Sequence, residues 1–116
     1  MSYECFELEV ANGIAHIRLN RPEKANSMIP SFWTELPAAV NTLSREASAR
    51  VLVISAAGKH FSSGMDISVF TDGGLDGPAG TNPSVGAEAF RHHCMALQSA
   101  FTCLEEARMP VLVAIQ

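Results

Sequence analysis

Apolar and polar residues alternate over the first two segments of the chain, residues 3–10 and 14–19. Alternation with a period of two is typical of strands that bury one face. The pair Asn12-Gly13 lies between the segments, and both residues tolerate the positive φ angles that a tight hairpin turn needs. The pattern therefore predicts that the chain opens with a β-hairpin.

Two further segments, residues 51–54 and 111–115, are apolar without alternation. Such runs are typical of strands that are buried on both faces of a sheet covered by helices. The chain between them is long enough for a right-handed crossover. We therefore expect the two strands to lie parallel in one sheet.

Helical periodicity marks the segments that precede these strands. The first opens at Pro30, where a missing N–H costs nothing, and carries Pro37 inside, where we expect a kink. Its apolar face is formed by Phe32, Trp33, Leu36, Val40 and Leu43. The second covers residues 87–107, with a core-facing stripe formed by Phe90, Cys94, Leu97, Phe101 and Leu104. The order ββαβαβ predicts an α/β fold.

Residues 71–86 separate the central strand from the second helix. They contain five of the eight glycines, two of the six prolines and almost no large apolar side chain. This composition predicts a flexible loop.

Composition and charge narrow the class of protein. A chain of 116 residues with 47% hydrophobic content can form one domain with a core. The net charge of −4 argues against a nucleic-acid or membrane-surface binder, because these need clustered positive charge. The N-terminal segment is acidic and carries no basic apolar leader, so we expect a soluble cytoplasmic protein. The three cysteines, Cys5, Cys94 and Cys103, have no C-x-x-C spacing and predict neither a disulfide framework nor a zinc site.

The candidate chemistry lies in the turn after the central strand, residues 61–67 (FSSGMDI). A sharp bend at Gly64, followed by a short helix beginning near Asp66, leaves main-chain N–H groups directed outward at the positive end of a helix dipole. Such a position suits a developing oxyanion. The alternative is a tight strand-to-helix connection without chemistry.

Residues 58–67 (GKHFSSGMDI) resemble the oxyanion turn of the crotonase superfamily, the enoyl-CoA hydratases and isomerases. Residues 19–28 (LNRPEKANSM) and 109–116 (MPVLVAIQ) match two other family stretches in the family's order. The resemblance implies a crotonase-like ββα spiral fold, of which residues 1–116 form the N-terminal part of a single domain. The glycine-rich segment and residues 104–110 are most similar to dienoyl-CoA isomerases.

The resemblance also implies a function, namely an enzyme of fatty acid metabolism that hydrates or isomerises the double bond of an unsaturated acyl-CoA; hydration is a lyase reaction. Two backbone N–H groups hold the thioester carbonyl, and the N–H of Met65 corresponds to one of them. The substrate-binding positions that carry over are Lys24, Ala25, Ser27, Ser63, Met65, Asp66 and Ile67. CoA enters as part of the substrate, so no separate cofactor or metal is expected, and the family suggests a homotrimer or hexamer.

Three of the eight basic residues lie near the exit of the second strand, namely Arg18, Arg21 and Lys24. By itself this cluster is typical of a solvated strand end. The resemblance gives the other interpretation, in which the loop meets the phosphates of CoA.

Other functions stay open. In the family, the second oxyanion N–H and the acid–base carboxylates come from segments that follow the strand at residues 111–115, so we expect the 116-residue chain alone to be inactive. Another crotonase reaction, such as decarboxylation or thioester hydrolysis, is an alternative. A truncated, non-catalytic module that binds CoA or packs in an assembly is a further one.

Two histidine-containing patterns are not assigned a function. His60, Ser62 and Asp66 contain the residue types of a hydrolytic triad, but triads usually join distant segments and no G-x-S-x-G elbow is present. His92 and His93 are adjacent on a helix and project in different directions, which indicates a solvent-facing pair and not a shared metal site.

Overall fold

A computed structural model describes residues 3–67 and 83–116 of the chain. The strands are β1 (Phe6–Ala11), β2 (Ile14–Leu19), β3 (Val51–Ala56) and β4 (Val111–Val113), and the helices are α1 (Phe32–Glu46) and α2 (Pro83–Glu106). A 3₁₀ turn covers Pro22–Lys24. The strands form a four-stranded sheet in the order β1-β2-β3-β4. The predicted α/β fold is confirmed.

The predicted hairpin joins β1 to β2. The two strands pair antiparallel from Phe6 opposite Leu19 to Ala11 opposite Ile14. At the turn, Asn12 and Gly13 have φ angles of 54° and 80°. Positive φ at both central residues matches the twist of the flanking strands, which explains why this dipeptide marks the hairpin.

The remaining strands are parallel. β3 lies parallel to β2 on one side and to β4 on the other, with Leu52 opposite both Ala15 and Val111. The predicted parallel pairing of the two apolar strands is therefore confirmed. Because β2, β3 and β4 run in one direction, their carboxyl ends meet at the same edge of the sheet.

Burial of β3 differs from the sequence-based prediction. Leu52 and Ile54 are buried, whereas Val51 and Val53 are only partly buried. Alternate residues of a strand face opposite sides of the sheet, and the buried core places Leu52 and Ile54 together with Leu36 of α1. Within the described residues, the helices thus cover one face of the sheet, and the expectation that both faces are buried is wrong.

Helix α1 packs the predicted face against the sheet. Its buried residues are Phe32, Leu36, Ala39, Val40 and Leu43, and Pro37 lies inside it. Trp33 is only partly buried and packs edge-to-face on Phe101 of α2, with ring centroids 5.3 Å apart. The helix begins at Phe32 with Ser31 at the N-cap, so Pro30 precedes it; the Pro30 carbonyl accepts the N–H of Trp33 at 3.2 Å.

Helix α2 differs from the prediction at its start and on its buried face. It begins at Pro83, so residues 83–86 are helical and not part of a loop; the rest of the predicted loop lies outside the described residues. Its most buried residues are Ala100 and Cys103, while Phe90 and Phe101 of the predicted stripe are more than 40% exposed. Small residues are thus the most buried part of α2, and Phe101 packs on Phe32 and Trp33 of α1 while remaining partly exposed.

Neither described helix is long and apolar enough to cross a membrane.

Strand β4 is an exposed edge strand of the sheet. Leu112 and Val113 of β4 are 60% and 45% exposed, and Ile115, which follows the strand, is 74% exposed. Within the described part of the chain, β4 pairs with β3 alone. An apolar strand with a free edge is a template for pairing with another molecule.

We therefore expect the 116-residue chain to self-associate, and we expect Leu112→Lys to raise the fraction of monomer, because a charged side chain on an edge strand opposes pairing. Sedimentation velocity at several concentrations measures this. Thr102→Lys adds the same charge on the exposed side of α2 and serves as the control. An equal gain of monomer in both variants would show that net charge matters and that the β4 edge does not.

Candidate active site

The loop after β2 and the turn after β3 lie side by side at the carboxyl edge of the sheet. Met28 and Met65 form an isolated parallel bridge between them. Because β2 and β3 are adjacent and parallel, the segments that leave them emerge together. The sequence stretches at residues 19–28 and 58–67 are therefore one structural unit.

Asn26 holds this unit together. It is the one buried polar residue among the described positions, with 4% of its surface exposed. Its Nδ2 donates to the carbonyls of Ala57 at 2.8 Å and His60 at 3.0 Å, and its Oδ1 accepts the N–H of Arg21 at 2.8 Å. A buried amide needs its partners, because an unpaired buried polar group costs about 1–3 kcal/mol. The side chain of Asn26 thus ties the loop to the turn.

The backbone of the loop is shaped to present this side chain. Ala25 and Asn26 both have φ angles of 52°. Asparagine tolerates the left-handed region better than most residues, whereas alanine is uncommon there. The conformation is supported by the hydrogen bond from the N–H of Asn26 to the carbonyl of Arg21 at 2.8 Å.

The bridge fixes the peptide unit between Gly64 and Met65. The carbonyl of Gly64 accepts the N–H of Met28 at 2.8 Å, and the N–H of Asp66 donates to the carbonyl of Met28 at 2.9 Å. In a planar trans peptide the C=O and N–H point in opposite directions. The N–H of Met65 therefore points away from Met28, and it makes no hydrogen bond within residues 3–67 and 83–116.

An open cleft of about 620 Å³ borders Met65 and its neighbours in the turn. The cleft is lined by Arg21, Lys24, Ser27, Ile29, Ser63, Met65, Asp66 and Ile67. Six of the seven predicted binding positions are in this set. Ala25 is not, but its carbonyl accepts the N–H of Ser63 at 2.9 Å, so it supports the wall of the cleft from behind.

Three polar residues that line the cleft, Arg21, Ser27 and Asp66, bind one another. Ser27 donates its hydroxyl to Asp66 Oδ2 at 2.6 Å, and Arg21 Nη1 lies 3.9 Å from the same oxygen. Arg21 Nη1 also donates to the carbonyl of Ser27 at 2.6 Å. Both charged side chains are about four-fifths buried, with 19% and 20% exposure. These contacts orient Asp66 as a structural partner of the loop.

The predicted basic cluster does not stay together. Arg18 faces away from the cleft and pairs with Glu7 of β1 at 3.9 Å, where both side chains are more than half exposed. Arg21 is engaged by Ser27 and Asp66, and the exposed Lys24 lines the cleft. Arg18 belongs to β2, and alternation along this strand places it on the face opposite the buried Ile17 and Leu19, whereas Arg21 and Lys24 lie in the loop that follows.

Sequence reasoning missed Asn26 and Ile29 as members of the site, and it included Arg21 only as part of the basic cluster. Asn26 was within the matched stretch, and the signal that could have found it is its residue type: asparagine both tolerates positive φ and carries a donor for backbone carbonyls. The short helix predicted to begin near Asp66 falls beyond Ile67, outside the described residues.

The histidines have no joint catalytic geometry. Ser62 donates its hydroxyl to the carbonyl of Asn26 at 2.9 Å, so it serves the turn, and the carbonyl of His60 is bound to Asn26. His92 is exposed and lies 3.1 Å from Glu88 Oε1. His93 is partly buried and its Nε2 is buried without a partner in the described chain, which corrects the expectation that both histidines face solvent.

Neither metal ligation nor thiolate chemistry has support among the described residues. No group of three His, Cys, Asp or Glu side chains there is close enough to hold a metal ion. Burial, together with the nearby Glu35, raises the pKa of Cys5 to about 12. Burial likewise raises the pKa of Cys103. Both thiols stay protonated at neutral pH and act as core side chains.

Comparison with known proteins adds independent evidence. A model of the enoyl-CoA hydratase/isomerase family matches residues 9–114. A peroxisomal Delta(3,5)-Delta(2,4)-dienoyl-CoA isomerase of Arabidopsis thaliana is 31% identical over 117 residues, 98% of this chain and 42% of that protein. A mitochondrial protein of the same name from Mus musculus is 35% identical over 115 residues, 98% of this chain and 35% of that protein.

The fold is shared with solved structures. An enoyl-CoA hydratase/isomerase from Xanthobacter autotrophicus Py2 superposes with a TM-score of 0.82 at 23% identity, covering 99% of this chain and 39% of that one. The chain therefore spans well under half of the length of the proteins it matches.

Two glycines in the turn offer a test of how tightly it packs on the loop. Gly58 has a φ of 88°, and a Cβ there would lie 2.7 Å from Cβ of Pro22; Gly64 has a φ of 96° with open space around it. We expect Gly64→Ala to lose roughly 1–2 kcal/mol of unfolding free energy from backbone strain alone. Gly58→Ala should lose a further 1–3 kcal/mol, roughly, from overpacking.

Urea unfolding followed by Trp33 fluorescence measures both losses. If the two variants lose the same free energy, Pro22 does not pack against the turn as described.

Proposed function

The chain belongs to the enoyl-CoA hydratase/isomerase family, and from this premise we propose that it is part of an acyl-CoA enzyme that shifts or hydrates the double bond of an unsaturated acyl-CoA. In the proposed reaction, the substrate's thioester carbonyl becomes an enolate. The N–H of Met65 donates a hydrogen bond to the oxygen as its negative charge develops. Such a donor, when preorganised and dry, contributes about 2.7–4 kcal/mol to catalysis.

The single observation that carries this proposal is the orientation of the Gly64–Met65 peptide. Its carbonyl is held by Met28, and its N–H has no partner within the described residues and belongs to a residue that lines the cleft. A donor that is fixed before the substrate arrives needs no reorganisation during the reaction. Because the donor is main chain, the methionine side chain is not required for this role.

The rest of the cleft suits the CoA portion of the substrate. Lys24 is an exposed cation at the cleft, where it can meet a phosphate. Ile67 is 76% exposed and offers an apolar surface to the adenine ring. Ser27, Ser63 and Asp66 complete the binding positions that we propose, and Ala25 supports them through its backbone.

More specifically, we propose that the full-length protein isomerises a dienoyl-CoA. It is supported by the dienoyl-CoA isomerases that match 98% of this chain. Asp66 is the carboxylate among the described lining residues, and it is engaged by Ser27 and Arg21. We therefore propose that the acid–base carboxylates and the second oxyanion donor come from other segments of the full-length protein, and that residues 1–116 alone do not catalyse the reaction.

Because Asp66 is bound by Ser27 and Arg21, an alternative function is a module that binds CoA without catalysing a reaction. A trimeric or hexameric assembly and a cytoplasmic location stay predictions. The names of the relatives, which include a peroxisomal and a mitochondrial protein, leave other compartments open.

The oxyanion role predicts a contrast between two substitutions of Met65 in the full-length protein. Met65→Ala keeps the N–H and should retain most of the activity on enoyl-CoA or dienoyl-CoA substrates. Met65→Pro removes the N–H and should lower kcat about 100-fold to 1,000-fold. Steady-state kinetics measure the contrast, and circular dichroism establishes that both variants fold. Equal losses would show that the side chain of Met65 matters and that its N–H does not carry the reaction.

The proposed CoA contact predicts a charge effect at Lys24. Lys24→Glu should raise KM for an acyl-CoA in a salt-sensitive way with little change in kcat, because uniform binding is lost. A pantetheine thioester without the nucleotide should respond far less. Lys59→Glu makes the same change at an exposed position that does not line the cleft, and it controls for net charge. If both thioesters respond alike to Lys24→Glu, this lysine does not meet phosphate.

A further inference from the structure

The turn after β3 is held by two side-chain amides that reach it from opposite sides. Asn26 Nδ2 donates to the carbonyls of Ala57 and His60 at 2.8 and 3.0 Å. Gln116 Nε2 donates to the carbonyls of Ala56 and Gly58 at 3.1 and 2.9 Å. Four carbonyls within five residues are thus bound by two carboxamides.

The strand ladder explains why these carbonyls need side-chain donors. The last bond between β3 and the β4 segment runs from the N–H of Ala114 to the carbonyl of Ile54 at 2.8 Å. Beyond it, the carbonyls of Ala56 and Gly58 have no strand partner, and the side chain of Gln116 takes over. On the other side, the β2 pairing ends with the N–H of Ala57 donating to Leu19, and Asn26 continues it.

The backbone of Asn26 is connected to Gly64 by a short chain of bonds, whereas Gln116 reaches the same turn through the carbonyls of Ala56 and Gly58. The carbonyl of Asn26 accepts the hydroxyl of Ser62 at 2.9 Å, and Ser62 Oγ accepts the N–H of Gly64 at 3.1 Å. Gly64 forms the peptide unit that carries the Met65 N–H. A shift of the turn relative to the loop would therefore rotate this peptide away from the direction set by Met28.

We propose that Asn26 and Gln116 are positioning residues that together form a carboxamide clamp on residues 56–60, and that this clamp fixes the direction of the Met65 N–H. The inference rests on the proposed oxyanion role of Met65 for its catalytic consequence. The clamp itself is a statement about the conformation of the turn and can be tested without substrate.

Hydrogen exchange of the 116-residue chain tests the clamp. The amides of Ser63, Gly64 and Asp66 are all hydrogen-bonded, so their exchange reports opening of the turn. Asn26→Gly keeps a residue that accepts a φ of 52° and removes only the side chain. We expect it to speed exchange at these amides roughly tenfold, and we expect Gln116→Ala to do so severalfold.

Matched controls separate the clamp from general effects. Asn12→Gly makes the same change at an exposed residue with a φ of 54°, and Gln98→Ala makes the other change on the exposed side of α2. Neither should alter exchange in the turn. If Asn26→Gly fails to fold, Gln116→Ala still decides the question, because its side chain lies at the surface. Unchanged exchange at Ser63, Gly64 and Asp66 in the folded variants overturns the clamp.

Kinetics of the full-length protein then distinguish this inference from the proposed function. If the clamp orients the oxyanion donor, Asn26→Gly and Gln116→Ala should lower kcat roughly tenfold while KM changes less than about twofold. A protein that is merely destabilised would recover kcat at lower temperature. Faster exchange with an unchanged kcat would support the clamp and overturn the oxyanion role of Met65.

Discussion

The burial of one carboxamide constrains the whole carboxyl edge of the sheet. Asn26 is buried with three partners from three separate positions of the backbone, and removing any of them would leave a polar atom unpaired away from water. The loop after β2 must therefore keep its two left-handed residues, and the turn after β3 must keep its carbonyls directed inward. The parallel pairing of β2 and β3 makes this possible, because it brings both exits to the same place.

The bonds between the loop and the turn also restrain the residue that precedes the Met65 N–H. Met28 holds the carbonyl of Gly64, and Ser62 holds the N–H of Gly64, so both ends of the residue before Met65 are fixed. In the proposed reaction, the donor is a peptide plane, and many side chains at position 65 are compatible with it. Under that proposal, the residues that matter most are those that shape the backbone, namely Asn26, Gly58 and Gly64.

The sequence predicted the elements that depend on local backbone requirements. Asn12-Gly13 identified the hairpin, and Gly64 identified the bend, because positive φ is a property of single residues. It predicted the buried face of α1 but not the most buried residues of α2 or the partial burial of alternate residues in β3. Phe101 packs on Phe32 and Trp33 of α1 although it is 42% exposed, whereas the most buried residues of α2 are the small Ala100 and Cys103. A periodicity argument weights large side chains, so it identified the aromatic contact but not these small residues.

The sequence predicted which residues lie together at the site, but not which of them are buried and which are exposed. Arg21 and Lys24 look equivalent in the sequence, yet Arg21 is largely buried against Ser27 and Asp66 while Lys24 is exposed. A buried, hydrogen-bonded charge mainly maintains the shape of its surroundings, whereas an exposed one attracts ions over a distance limited by salt. In a chain whose net charge is −4, attraction of an anion must come from such local cations. Under the proposed function, the exposed Lys24 binds the anionic part of the ligand, and the backbone of the turn orients the thioester carbonyl.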